Sequence, residues 1–409
     1  MKHCMIPVFL LAFTATVNAQ QPATRCHTNE FIEQHTDAQQ LNYDDAEKRI
    51  NRWLEQHPDA GNTRTTIYIP VIFHVVYNTA QGNVAPLRLI EQLDVLNEDF
   101  GGYNSDYGST PAVWQPITGN TDIQFCLAHV NPQGGWTNGY EYYQTSANLC
   151  NSGNIFSTAP GWNPNNYLNI WVAQCNSGVL GFASPPGSPA TEDGVVIMYN
   201  YIGKTGASAP YNLGRTATHE VGHWLGLQHI WGDDAGACTG TDNVADTPNQ
   251  ADNTFGCRAA NTVLTDACTP SAPGIMWMNY MDYSDDACMY MFTQGQKARM
   301  WATINSVRAG LLTSTVCQIT GTSLQAVQFM PELYPNPAQN TATIEIPQGY
   351  GDVLGIDMYT ASGQLVWQQN QPVLNEQRIT IDISTFETGV YFIRVRTAGG
   401  NTVLKLIHE

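Results

Sequence analysis

From Thr65 to Tyr77 the chain reads TTIYIPVIFHVVY, a β-branched and aromatic run that predicts a buried strand. The rhythm then changes: Pro86–Phe100 puts Leu89, Leu93 and Leu96 on one stripe, which predicts a helix. Strands are predicted again at Ile123–Val130, Leu168–Ala173 and Gly194–Tyr199, between turns rich in Gly, Asn and Pro. Upstream, residues 20–63 are polar and hold one helical pattern, Asp44–His57, in which Ile50, Trp53 and Leu54 share a face. Strands mixed with a few long helices predict a single α/β (α+β) domain of about 250 residues, a size compatible with one core.

The pattern changes once more from LYPNP (Leu333–Pro337) onward. TATIEI, GIDMYT, QLVWQQ, RITIDIS, GVYFIRVRT and NTVLKLI alternate with period two and are separated by Gly, Pro and Asn. That predicts an all-β, immunoglobulin-like sandwich. The expected division is a leader (1–19), a polar pro-segment (20–63), the α/β domain (64–318), a linker (319–330) and the sandwich (331–409).

Charge and cysteine content narrow the function classes. Among 409 residues, 17 Lys+Arg stand against 35 Asp+Glu, and the basic residues nowhere cluster. Nucleic acid and anionic membrane surfaces are therefore not expected partners. MKHCMIPVFLLAFTATVNA has a basic start, an apolar run at Met5–Phe13 and small residues at Val17 and Ala19, which predicts a secretory signal peptide. The run falls short of the roughly 20 apolar residues a membrane span requires, and no later segment qualifies as one. Of ten cysteines, Cys4 lies in the leader, which leaves an odd number for an oxidising compartment. Cys126, Cys150, Cys175, Cys238, Cys257, Cys268, Cys288 and Cys317 lie together, and Cys26, far upstream of them, is the odd one out.

The candidate chemistry sits in HEVGHWLGLQH (His219–His229). At 3.6 residues per turn, His219 and His223 share a helix face and can reach one ion. Gly226 permits the positive φ that ends the helix and turns the chain, so that His229 can return as a third ligand. A zinc ion lowers the pKa of a bound water to about 7, and Glu220 beside it can take the proton as that water attacks a carbonyl.

Together with MNYMDYSDDACM (Met278–Met289) and FTQGQKARM (Phe292–Met300), this stretch resembles the metzincin zinc endopeptidases, and among them the pappalysin family. The resemblance covers about residues 65–315. It implies a two-lobed catalytic domain with a twisted mixed sheet and an active-site helix above the cleft. It also implies Met281 as the apolar floor beneath the zinc, Tyr283 as an oxyanion-stabilising tyrosine, and disulfides Cys238–Cys268 and Cys257–Cys288. The pairing of Cys126, Cys150, Cys175 and Cys317 stays open.

Between Asp233 and Asp286 stand nine Asp and one basic residue, Arg258; most of these read as a solvated acidic surface. Within TGTDNVADTP, however, Asp242, Asp246 and Thr247 offer the oxygen ligands calcium requires, and the resemblance implies structural calcium in this region. Cys26 can reach the open zinc position and silence the enzyme, as the cysteine-switch propeptides of similar proteins do. Relatives of the family often cut before Arg, using an acidic pocket. Thr63-Arg64 is accordingly the expected self-activation bond.

The C-terminal segment, through LYPNP, GVYFIRV and VLKLIHE, resembles the sorting domains of the type IX secretion system. The expectation is a secreted or surface-located zinc endopeptidase, latent when made, monomeric, and a client of the secretion machinery. Its substrates would be proteins or peptides docked along an edge strand near Gly181–Ser184. Two alternatives are a zinc aminopeptidase and a surface-binding or adhesion protein with a structural metal site.

Overall fold

The computed structural model describes residues 24–33, 37–62, 65–317 apart from 136, 151, 176, 177 and 315, and 331–409 apart from 347–351, 361–363, 374–376, 398 and 399. The leader, the Thr63-Arg64 bond and the 319–330 linker lie outside the described residues.

Seven strands form the first sheet: β1 (Thr24–Cys26), β2 (Ile67–Tyr77), β3 (Ile123–Leu127), β4 (Tyr140–Gln144), β5 (Leu168–Ala173), β6 (Val179–Ala183) and β7 (Gly194–Met198). Their order is β1-β6-β7-β5-β2-β3. Along one side of β2, Ile67–Val71 pair with β3 and Phe73–Tyr77 pair with β4. All neighbours are parallel except β6 and β7, so the sheet is mixed and turns antiparallel near the edge that β1 closes. The continuous apolar runs of β2, β5 and β7 are explained by burial on both faces.

The helices are α1 (Thr28–Glu33), α2 (Asp37–Gln56), α3 (Pro86–Gly101), α4 (Ser152–Thr158), α5 (Arg215–Trp224) and α6 (Gln294–Ser306). Pro86 opens α3 at a position where no N–H is needed, and Gly102 at φ 64° closes it. The large core contains Leu89, Leu96, Val221, Trp224, Met281 and Met300. A second cluster holds Phe31 from α1 and Phe156 from α4 with Trp171 and Phe182 from the sheet. α2 is longer than the predicted Asp44–His57, and β3 and β7 end earlier than predicted because the chain turns there.

From Leu225 to Thr293 the only helix among the described residues is one 3-10 turn, Asp286–Cys288. Two disulfides, Cys238–Cys268 and Cys257–Cys288, cross this lobe. Cys126–Cys317 and Cys150–Cys175 pair the remaining four, and Cys26 is free and buried. Bridges of this kind typically contribute about 2–4 kcal/mol each, which matters most where regular structure is scarce.

The C-terminal strands are β8 (Glu332–Tyr334), β9 (Thr341–Glu345), β10 (Val353–Thr360), β11 (Leu365–Asn370), β12 (Arg378–Asp382), β13 (Gly389–Thr397) and β14 (Gly400–His408). They form one sheet ordered β11-β10-β13-β14 and another ordered β12-β9-β8. Alternate residues such as Ala342, Ile344, Ile379, Ile381, Ile393 and Val395 fill a common core. Among the described residues, no helix is long and apolar enough to cross a membrane.

Candidate active site

Helix α5 carries the site and is buried along its whole length. Its first residue, Arg215, donates to both oxygens of Asp106 (2.6 and 2.7 Å), and Thr218 donates to Asp99 (2.7 Å). Gly226 has φ 85°, as the turn after the helix requires. Leu227 N–H returns to the Gly222 carbonyl, and the chain then delivers His229 beside His219 and His223. Gly222 itself is demanded by packing: a Cβ there would meet the Met281 sulfur at 2.6 Å. Met281, fully buried, thus lies directly against the helix that carries the histidines.

The three imidazoles are held in one tautomer. His219 Nδ1 faces the Tyr280 carbonyl (2.7 Å), His223 Nδ1 the Leu227 carbonyl (2.9 Å), and His229 Nδ1 the Asp233 carboxylate (2.9 Å). Each partner only accepts, so each Nδ1 carries the proton and each Nε2 presents a lone pair. These Nε2 atoms converge: His223 Nε2 lies 3.0 Å from that of His219 and 3.1 Å from that of His229. Three lone pairs aimed at one another repel unless a cation lies among them, and nitrogen donors braced from behind suit zinc. Burial pushes His223 down to about 3 and His219 well below the ordinary range, so neither carries a competing proton. The donor set therefore fits a zinc ion.

Cys26 completes the cluster, its sulfur within 4.8 Å of the three histidine donors. The sulfur lies 3.4 Å from Glu220 Oε2, which also accepts from Thr28 Oγ1 at 3.1 Å. The other oxygen, Oε1, is buried without a hydrogen-bond partner. Burial pushes Glu220 up to about 8, against the lowering effect of its bonds from Cys26 and Thr28. Burial, reinforced by the charge of Glu220, likewise raises the Cys26 thiol. Tyr283 reaches the same place: its hydroxyl is 3.4 Å from the Cys26 carbonyl and 3.3 Å from His229 Nε2. Burial raises its pKa as well, so it stays a donor.

One buried ion pair was not legible beforehand. The guanidinium of Arg25, wholly buried, donates to Asp286 (2.9 Å) and to the Ser284 carbonyl (2.7 Å) and lies over the Tyr211 ring. Asp286 is oriented by backbone N–H groups of Leu213 and Arg215. In the acidic stretch read as mostly solvated, Asp242, Asp282 and Asp286 prove to be buried. Nothing in the spacing of SDDAC separates a pocket carboxylate from a surface one.

The candidate calcium residues are only partly brought together. Thr247 donates to both oxygens of Asp242 (2.8 Å each), whose carboxyl burial pushes up to about 7. Asp246 instead accepts from Thr293 (2.6 Å) and from Gly295 N–H (2.8 Å), bracing the start of α6. The edge strand expected to dock substrate is β6, and β1 lies along it, Thr24 opposite Val179 and Cys26 opposite Gly181.

Residues 150–305 match a family described as pregnancy-associated plasma protein-A, and residues 332–409 match the secretion system C-terminal sorting domain. An extracellular metalloprotease of Colletotrichum graminicola is 32% identical over 322 residues, which is 76% of this chain and 99% of that protein. A second one from the same fungus is 33% identical over 257 residues, 60% of this chain and 78% of the relative. Among solved structures, mature mirolysin of Tannerella forsythia in complex with a cleaved peptide is 44% identical with a TM-score of 0.60, covering 63% of this chain and all (100%) of that one. A promirolysin mutant of the same organism is 40% identical with a TM-score of 0.63, covering 72% and 99%.

Proposed function

The chain belongs to the pappalysin family of metalloproteases, and from that premise we propose that His219, His223 and His229 hold a catalytic zinc while Glu220 serves as general base and acid. At the coarser level the protein is an extracellular metallo-endopeptidase, made with a propeptide and carrying a type IX sorting domain. The aminopeptidase and adhesion readings give way to this.

The observation that carries the finer reading is the convergence of three Nε2 lone pairs beside a buried carboxylate with one unpartnered oxygen. Zinc held there would polarise the scissile carbonyl and acidify a water next to Glu220. Glu220 takes the proton of the attacking water and passes it to the leaving amine, a task suited to a carboxyl raised by burial. Tyr283 donates a hydrogen bond from its hydroxyl to the developing oxyanion. Met281 keeps the underside of the site apolar and fixes α5 in height through its contact with Gly222.

In the precursor, proposed to include residues 20–63, Cys26 occupies the position substrate needs, and β1 covers the β6 edge. Cutting at Thr63-Arg64 and release of β1 would open both. The Asp286 pocket, filled by Arg25, supports a preference for Arg after the cut, since it already binds a guanidinium. Calcium is proposed at the 239–248 loop, narrowed to Asp242 and Thr247, because these two line one cavity with Thr239, Gly240 and Thr241 and offer it oxygen donors.

Metal analysis and digestion of a denatured protein test the reading together. Wild type should hold zinc and cut, His223→Ala should lose the metal, and Glu220→Ala should hold zinc, fail to cut and fail to process itself. A Glu220→Ala precursor that matures alone at the same bond would sink the self-activation step.

A further inference from the structure

The side chain of Arg299, on α6, is completely buried, and its guanidinium is shared between two parts of the chain. Nε donates to the Gly226 carbonyl (2.6 Å), at the turn that delivers His229. Nη2 donates to both carboxylate oxygens of Glu47 (2.7 and 2.6 Å), and Nη1 to Asn51 Oδ1 (3.4 Å). Glu47 and Asn51 both lie on α2, within the proposed propeptide. The inner nitrogen is therefore anchored in the catalytic domain, while the two outer ones bond to a segment that leaves on activation.

Glu47 does not sit at a remote surface. It lines one cavity together with Tyr43, His223, Gly226, His229 and Asp233. Asp233, the other carboxylate there, is engaged by His229 Nδ1. Departure of α2 thus removes Glu47 from that cavity and leaves behind it a guanidinium that the Gly226 carbonyl still holds in orientation and that has lost its carboxylate. A guanidinium left with no directly bonded carboxylate, and only the more distant charge of Asp242, favours any carboxylate that can accept from Nη2 through both oxygens.

We propose that in the mature enzyme Arg299 is a carboxylate-binding subsite that takes an acidic side chain of the substrate on the amino-terminal side of the cut. This placement rests on the reading that the Asp286 pocket takes Arg after the cut. The chain runs from the Asp286 contact, at Arg25, past the histidines, at Cys26 where β1 ends, and on to Thr28 and Asn29 at the start of α1, which line the cavity that holds Glu47. Along the blocking segment the two charged contacts therefore lie to either side of Cys26. A peptide with an acidic residue before the bond and Arg after it satisfies both, and the propeptide satisfies both with Glu47 and Arg25.

The test uses the mature enzyme and peptides carrying Arg after the cut, with a single Glu moved through the four preceding positions and each peptide paired with its Gln counterpart. At one position Glu should raise kcat/KM about 10-fold over Gln, the scale of a charged hydrogen-bonded pair. In Arg299→Gln that ratio should fall toward one, and in Arg299→Lys, which keeps the charge without the fork, it should fall partway. Both peptides of a pair are read in the same preparation, so a partly misfolded variant lowers both rates and leaves the ratio interpretable. A ratio near one at every position in the wild type overturns the proposal, as does a ratio that survives in Arg299→Gln. Peptides with Leu in place of Arg judge the Asp286 reading separately: equal cutting of these overturns the Arg preference while the Glu-to-Gln ratio still decides the role of Arg299.

Discussion

The two segments flanking the catalytic domain are held by opposite means. The N-terminal segment brings charged groups, one buried and one half-buried, that find their partners in the domain it covers: Arg25 on Asp286 and Glu47 on Arg299. The C-terminal sandwich keeps a core built from its own residues and pairs its buried Asp357 internally with Arg394 and Arg396. In the function proposed here, the first arrangement ties a blocking segment to groups the mature enzyme would use, so that its release would uncover them for substrate. The second suits a module read by a secretion apparatus, whose integrity should not depend on the enzyme.

That contrast breaks most visibly at Asp286. Asp286→Ala in the Glu220→Ala precursor leaves Arg25 buried and unpaired, which should destabilise the precursor by about 3–5 kcal/mol in urea unfolding. An unchanged midpoint would mean that this pair does not anchor the segment. In the sandwich, Ile356→Ala removes a wholly buried side chain of β10 and should cost about 2–4 kcal/mol in the unfolding of that module. Peptide hydrolysis by the mature enzyme should stay within about twofold, because in this account the catalytic groups take nothing from the sandwich. A finer cut is Thr28→Ala, which removes the hydroxyl that donates to Glu220 and accepts from Ala183 N–H. It should weaken the hold of the segment by about 1–2 kcal/mol, seen as weaker inhibition of the mature enzyme by an added 20–63 peptide carrying the substitution than by the unsubstituted peptide.

What could be read from sequence follows the range of the interactions. The strand at Leu168–Ala173 and the start of α3 at Pro86 are predicted to the residue, since apolar runs and a helix-opening proline act locally. The histidine cluster was legible because one helix turn and one glycine turn create it. β1 was not: three residues, TRC, carry no pattern, and they become a strand only because the edge of β6 accepts them. Glu47 and Arg299 each look like a solvated helix charge until α2 meets α6. The Cys126–Cys317 bridge joins residues 191 apart, which only the fold decides.

The central proposal is that a zinc ion held by His219, His223 and His229 is closed in the precursor by the sulfur of Cys26. X-ray absorption at the zinc edge reads this directly, with the Glu220→Ala precursor set against the mature wild type. The precursor should show three nitrogen neighbours and one sulfur at about 2.3 Å, and the mature enzyme should show the sulfur replaced by a lighter atom. A precursor whose zinc has no sulfur neighbour would contradict it.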